Sequence, residues 1–117
     1  MQVPRPTQDD RDYFAGLVIE LAGVEVKPMF GNLGAFVNGN MFAGLFGSDV
    51  GVKLDEAGQE ELRKAGGASF GPVERPMGGY VSLPSAWRET PDQARPWVAR
   101  ALEHVGALPP KVKKGKR

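Results

Sequence analysis

His104 is the only histidine in the 117-residue chain, and cysteine is absent. A histidine or cysteine metal cluster therefore has no parts from which to be built, and a catalytic dyad would need other partners. On a helical wheel His104 falls about 20° from Trp97, at the edge of an apolar stripe near a helix C-terminus, which accounts for it without catalysis. Carboxylates cluster as Asp9-Asp10, Asp12, Asp55-Glu56 and Glu60-Glu61. Such pairs serve acid–base work or bind hard cations, but nearly all of these fall in first helical turns, where capping and the helix dipole explain them. Ser48, Ser69, Ser82 and Ser85 have no nucleophile-elbow context, and one histidine leaves little for a triad. The 16 glycines form neither a dinucleotide-binding nor a P-loop pattern. The expectation is a protein that is not an enzyme, with no cofactor and no metal.

The clearest electrostatic feature is the C-terminus, where Lys111, Lys113, Lys114, Lys116 and Arg117 put five cations into seven residues. Taking those five from the net charge of +1 leaves the remaining body at −4, which is not the broad basic surface of a dedicated nucleic-acid domain. The tail alone can neutralise a few phosphates and give weak, salt-sensitive, sequence-blind affinity for nucleic acid. Pro109-Pro110 separates it from the body, so a domain over 1–108 and a disordered basic tail over 109–117 are expected.

These residues need elements to position them, and 41% hydrophobic with 25% charged residues is the composition of an ordinary globular chain of one domain. The start, MQVPRPTQDD, lacks a secretory apolar run, and no stretch approaches the roughly 20 apolar residues of a membrane span. A soluble, cytoplasmic protein without membrane contact follows. Thr7 caps a first helix whose stripe is Tyr13, Phe14, Leu17, Val18 and Leu21, ended by Gly23, with Ile19 on the opposite side. Val24 to Phe30 is extended, and Pro28 makes it an edge strand or ends its regular pairing early.

The stretch Met29 to Leu54 holds four of the six phenylalanines and the strongest local signal, Asn38-Gly39, a two-residue hairpin turn. That turn pairs Val37 with Asn40, Phe36 with Met41 and Ala35 with Phe42. If Gly47, Ser48 and Asp49 close a second hairpin, Phe46 lies opposite Val50. One face then carries Leu33, Ala35, Val37, Phe42, Phe46, Val50, Val52 and Leu54, the main core. The other carries Gly34, Phe36, Met41, Ala43, Leu45, Gly51 and Lys53, too apolar for a face left wholly to water. Asp55 caps a second helix to Ala65, with Leu62 and Ala65 as its thin stripe. Ala68 to Pro76 is a loop anchored by Phe70, and Gly79 to Pro84 is a further strand. Thr90-Pro91 opens a third helix to about Val105, with Trp97, Val98, Ala101, Leu102 and Val105 inward and Pro96 delaying or bending it. The fold class is α+β: a small antiparallel sheet of about five strands with three helices, in the order helix, strands, helix, strand, helix.

Met29-Phe30-Gly31, Phe36-Val37-Asn38-Gly39-Asn40-Met41-Phe42-Ala43, Val52-Lys53-Leu54-Asp55, Ala65-Gly66, Phe70, Pro84, and Trp97 with Ala101-Leu102 together resemble the N-terminal domain of the TfoX/Sxy family of bacterial competence regulators. The match spans about Val24 to Leu102. The resemblance implies a compact α+β domain and a non-enzymatic regulatory or interaction role, in transcription or competence. Competence-type members carry a second, C-terminal domain, for which this chain has no room, so a stand-alone relative is expected. Pro28 stands where a basic residue usually precedes Met-Phe-Gly, and Gly51 where an aromatic precedes the Val-Lys pair.

Three modes of action follow. Phe36, Met41, Leu45 and Lys53 on the second sheet face would make an adaptable apolar patch for a protein partner or a homodimer; cover by the chain's own helices is the competing reading. The tail would supply nucleic-acid contact. A cleft between the sheet and the 70–77 loop, lined by Tyr80 and Trp87, would hold a small molecule.

Overall fold

The computed structural model describes residues 5–19, 21–29, 32–72, 74 and 76–109. The basic tail, residues 110–117, and Phe30-Gly31 lie outside them. Helix α1 (Gln8–Val18) starts at Thr7, whose hydroxyl oxygen accepts from the Asp10 N–H while the Thr7 N–H donates to the Asp10 carboxylate at 2.8 Å. This reciprocal cap satisfies two helix-end donors. The helix stops sooner than its glycine implies: Ile19 is the C-cap, and Gly23 (φ 77) instead turns the chain into the sheet.

Six strands follow, β1 (Glu25–Met29), β2 (Asn32–Val37), β3 (Asn40–Phe46), β4 (Asp49–Lys53), β5 (Ala68–Ser69) and β6 (Tyr80–Ser82). They form one antiparallel sheet in the order β1-β2-β3-β4-β6-β5. The sixth strand is β5, two residues paired on the outer edge of β6 within the segment expected to be loop. Helix α2 (Glu56–Lys64), a 3-10 turn (Ser85–Glu89) and helix α3 (Pro91–Gly106) complete the fold. Asp55 caps α2 by accepting from the Gly58 N–H. Thr90 does not cap α3 through its side chain; its hydroxyl hydrogen-bonds to Gln93 Oε1. Helix α3 begins on Pro91 and runs through Pro96.

The protein is an α+β domain of two layers. Phe14, Leu17 and Val18 of α1, Leu62 of α2, and Ala94, Val98, Ala101 and Val105 of α3 share one buried cluster with Ala35, Ala43, Leu45, Val50, Val52 and Val81 of the sheet. All three helices therefore pack on the same sheet face. Ala65 is exposed, and Trp97 and Leu102 are only half-buried, so the stripes of α2 and α3 are narrower than their spacing predicts.

The turn at Asn38 (φ 54) and Gly39 (φ 83) forms as expected, with Val37 opposite Asn40 and Phe36 opposite Met41. Beyond it the register departs. Ala35 pairs with Ala43, not Phe42, because β3 holds Phe42 as an extra residue in a bulge. Phe42 and its neighbour Ala43 are both fully buried. The bulge reverses the alternation, so Ala43 and Leu45 join the core, while Gly44 and Phe46 move to the opposite face. The second turn shifts as well: Gly47-Ser48 form a two-residue turn with Phe46 opposite Asp49 and Leu45 opposite Val50. The two one-residue shifts cancel, which returns Val50 and Val52 to the core side.

Candidate functional site

The face away from the helices is assembled from β1 to β4 and β6. Cross-strand register places Gly34, Gly44, Gly51 and Ser82 in one row across the sheet, with Lys27 at its β1 end. Glycines at these positions let side chains from neighbouring rows lie directly on the backbone. A Cβ on Gly34 would come within 2.9 Å of the Met41 sulfur and 3.0 Å of the Phe36 ring. A Cβ on Gly44 would meet Met41 at 3.3 Å and Phe70 at 3.4 Å, and one on Gly51 would overlap the Phe70 ring. Phe36, Met41 and Phe70 thus level the trough that the glycines leave.

Phe70 comes from the segment after β5 and is only 2% exposed, yet lies outside the helix-side cluster. Phe46 meets its ring edge-on at 6.2 Å, and Tyr80 lies tilted against it at 6.0 Å. The Tyr80 hydroxyl donates to the Met41 carbonyl at 2.8 Å, which ties β6 to β3 across β4. Burial pushes the Tyr80 phenol up to about 12, so it remains a neutral donor at physiological pH. Two lysines rest over rings at the rim: Lys27 Nζ is 5.2 Å from the Phe36 centroid, and Lys53 Nζ is 5.7 Å from that of Tyr80. Glu25 pairs loosely with Lys27 at 3.8 Å.

Of the residues expected on this face, Phe36, Met41 and Lys53 are present and half-buried. Leu45 is not: it is 2% exposed in the core beneath the helices, a displacement caused by the bulge at Phe42. Phe46 takes the corresponding place. No helix of the described chain covers this face; Phe70 is the cover that the sequence left unidentified, and its signal was the need of Gly51 for a ring to fill the space. The five tail cations, Lys111, Lys113, Lys114, Lys116 and Arg117, lie outside the described residues.

A second polar cluster sits on the helix side. Arg88 of the 3-10 turn bonds the Asp10 carboxylate at 2.8 Å and stacks over the Tyr13 ring at 4.7 Å. The Thr7 N–H and then Arg88 hold the Asp10 carboxyl below the ordinary carboxylate value, whereas burial raises the Tyr13 phenol. Beside them a shallow cleft of about 100 Å³ is lined by Tyr13, Ser48, Asp49, Val50, Leu83, Pro84, Ser85 and Arg88. Arg88 is already neutralised by Asp10, and Asp49 opens into the same cleft, so the site offers an anion little. Trp87 packs against the helix-side core while Tyr80 lies on the other sheet face, so the two do not line one cleft.

Gly67-Ala68-Ser69-Phe70-Gly71 has the G-x-S-x-G spacing of a nucleophile elbow, a match the sequence reading passed over. Ser69 sits on the edge strand β5 and leads into Phe70 and the segment that reaches β6, not into a helix, so no elbow forms. Among the described residues no group of three or more His, Cys, Asp or Glu could hold a metal ion, and no helix is long and apolar enough to cross a membrane.

A comparison with curated proteins finds no match. The family described as the TfoX N-terminal domain matches residues 12–105, an interval that contains the helix-side core from Phe14 to Val105 and the whole sheet. The chain belongs to the TfoX N-terminal domain family.

Proposed function

We propose that this domain is a non-enzymatic regulatory module that works by contact, engaging a protein partner through the sheet face of Phe36, Met41, Phe46, Tyr80, Lys27 and Lys53. The observation that carries this reading is the one-sided placement of the helices. All three cover the same face, and the other presents rings and a thioether, a surface able to repack against a partner. The lone histidine and the missing elbow at Ser69 favour contact over catalysis, as does the regulatory role that the family resemblance implies.

The test is site-specific photo-crosslinking in cells. A photoreactive phenylalanine replacing Met41 should trap a partner, or a second copy of the chain, while the same group at the exposed Glu60 of α2 should not. Equal trapping at both positions would refute the assignment. The tail supports a second reading, because Asn40 Nδ2 donates to the Pro109 carbonyl at 3.1 Å and so fixes its departure point beside the β2–β3 turn. Five cations leaving there would add weak phosphate affinity. Deleting Lys111 to Arg117 should abolish low-salt binding to DNA or RNA; undiminished binding would exclude the tail.

A further inference from the structure

The sheet ends at β1 on one side and at the two-residue β5 on the other. Which groups β1 turns outward follows from the hairpin beside it. The two-residue turn at Asn38-Gly39 closes on a hydrogen-bonded pair, Val37 with Asn40, so the N–H and C=O of Val37 aim at β3. Successive residues of a strand aim their backbone groups to opposite sides, and Phe36 therefore aims at β1, where it pairs with Glu25. Glu25 and Lys27 accordingly bond inward to β2, while Val24, Val26 and Pro28 turn their backbone groups out of the sheet. Pro28 suits an outward position, because its missing N–H takes nothing from the ladder there. Among the described residues no backbone group outside the sheet bonds to this strand. Val26 leaves an apolar side chain 41% exposed on the helix side, next to Ala35.

We propose that β1 pairs antiparallel with β1 of a second copy of this chain, about a two-fold axis at Val26, joining two six-stranded sheets into one. The charges along the strand choose that register. With the axis at Val26, Glu25 stands opposite Lys27 of the second copy, and Lys27 opposite its Glu25, in the closely spaced positions between hydrogen-bonded pairs. The neighbouring symmetric registers, with the axis at Glu25 or at Lys27, set like charges directly opposite, which is destabilising. In the chosen register the two Val26 residues exchange both their N–H···O bonds and cover each other's side chains on the helix side. The Val24 N–H meets the Pro28 carbonyl of the second copy. Lysine and proline ordinarily discourage pairing at an edge; here the lysine is answered by Glu25, and the proline takes part through its carbonyl. The loose Glu25–Lys27 pair within one strand, 3.8 Å apart, becomes part of a ring of four alternating charges. One short strand from each copy makes a small contact, so the dimer dissociates on dilution. The edge is distinct from the face around Met41, and the dimer does not depend on the partner contact proposed above.

The test is sedimentation equilibrium of the full chain from micromolar to millimolar concentration, where wild type should show a reversible monomer–dimer equilibrium. Glu25→Lys alone and Lys27→Glu alone should each weaken it by at least about tenfold, because each makes all four facing charges alike. Mixed together, the two variants should associate with one another, since the lysines of one then face the glutamates of the other. Val26→Pro removes the two central donors without touching a bond to β2. It should abolish the dimer and leave the melting temperature of the dilute protein close to that of wild type. Melting curves establish that the charge variants are folded. A strict monomer at every concentration, a dimer indifferent to both reversals and to Val26→Pro, or folded single variants that fail to combine on mixing would each overturn the proposal.

Discussion

Gly51 shows how a single atom shapes the open face. The family resemblance leads one to expect an aromatic residue here; the ring above the backbone comes instead from Phe70, which lies on the space a side chain would fill. Gly51→Ala should therefore destabilise the domain by about 1–3 kcal/mol through overpacking, read as a lower urea midpoint at unchanged slope. Gly34→Ala meets the Met41 sulfur, the far end of a flexible side chain, and should be milder. Asp10 carries the pH dependence. Its carboxyl is lowered from 3.8 on folding by the Thr7 N–H and Arg88, so it stabilises the fold above that value and ceases to do so as pH falls through the lower folded one. The margin of wild type over Asp10→Asn should be steady near neutrality and vanish below the folded value; an equal margin at pH 7 and in strong acid would contradict it. The capping role of Thr7 was legible in the sequence, but the ion pair with Arg88 was not, because it joins residues 78 positions apart.

At the scale of elements, the hairpins decide which residues lie on the open sheet face. Asn38-Gly39 announced its turn because few residues adopt positive φ, and that local rule held. The bulge at Phe42 had no comparable signature. Its cause is packing, since Phe42 and Ala43 both reach the core only if the alternation breaks between them. That break removed Leu45 from the candidate site and introduced Phe46. The second turn is held by Asn32, a buried polar residue whose Oδ1 accepts from the Gly47 N–H at 2.8 Å. Asn32→Ala leaves that donor unpaired and should cost about 1–3 kcal/mol. Hydrogen exchange at Gly47 should accelerate more than at the Asn38-Gly39 turn; uniform acceleration along β2 to β4 would show that Asn32 acts on the whole sheet instead.

For the whole molecule, the proposed contact role puts stability on the helix side and recognition on the opposite sheet face. The helix-side cluster holds the fold, and the opposite face is free to vary its contacts within limits set by Phe70 and Tyr80. The described packing reaches Pro109 through the Asn40 contact, so a chain shortened to 1–109 should keep its melting temperature. A drop of several degrees would place the tail in the folded body. The sequence by itself determined the α+β class, the caps at Thr7 and Asp55, the Asn38-Gly39 turn and the uneven charge, since each follows from local backbone preference, residue spacing or composition, while the family was legible through the resemblance of its motifs. Only the tertiary structure decided which face Ala43, Leu45 and Phe46 occupy, that Phe70 fills the glycine row, and that Arg88 closes on Asp10. Those outcomes depend on how segments far apart in the chain compete for the same space, and no local pattern records that competition.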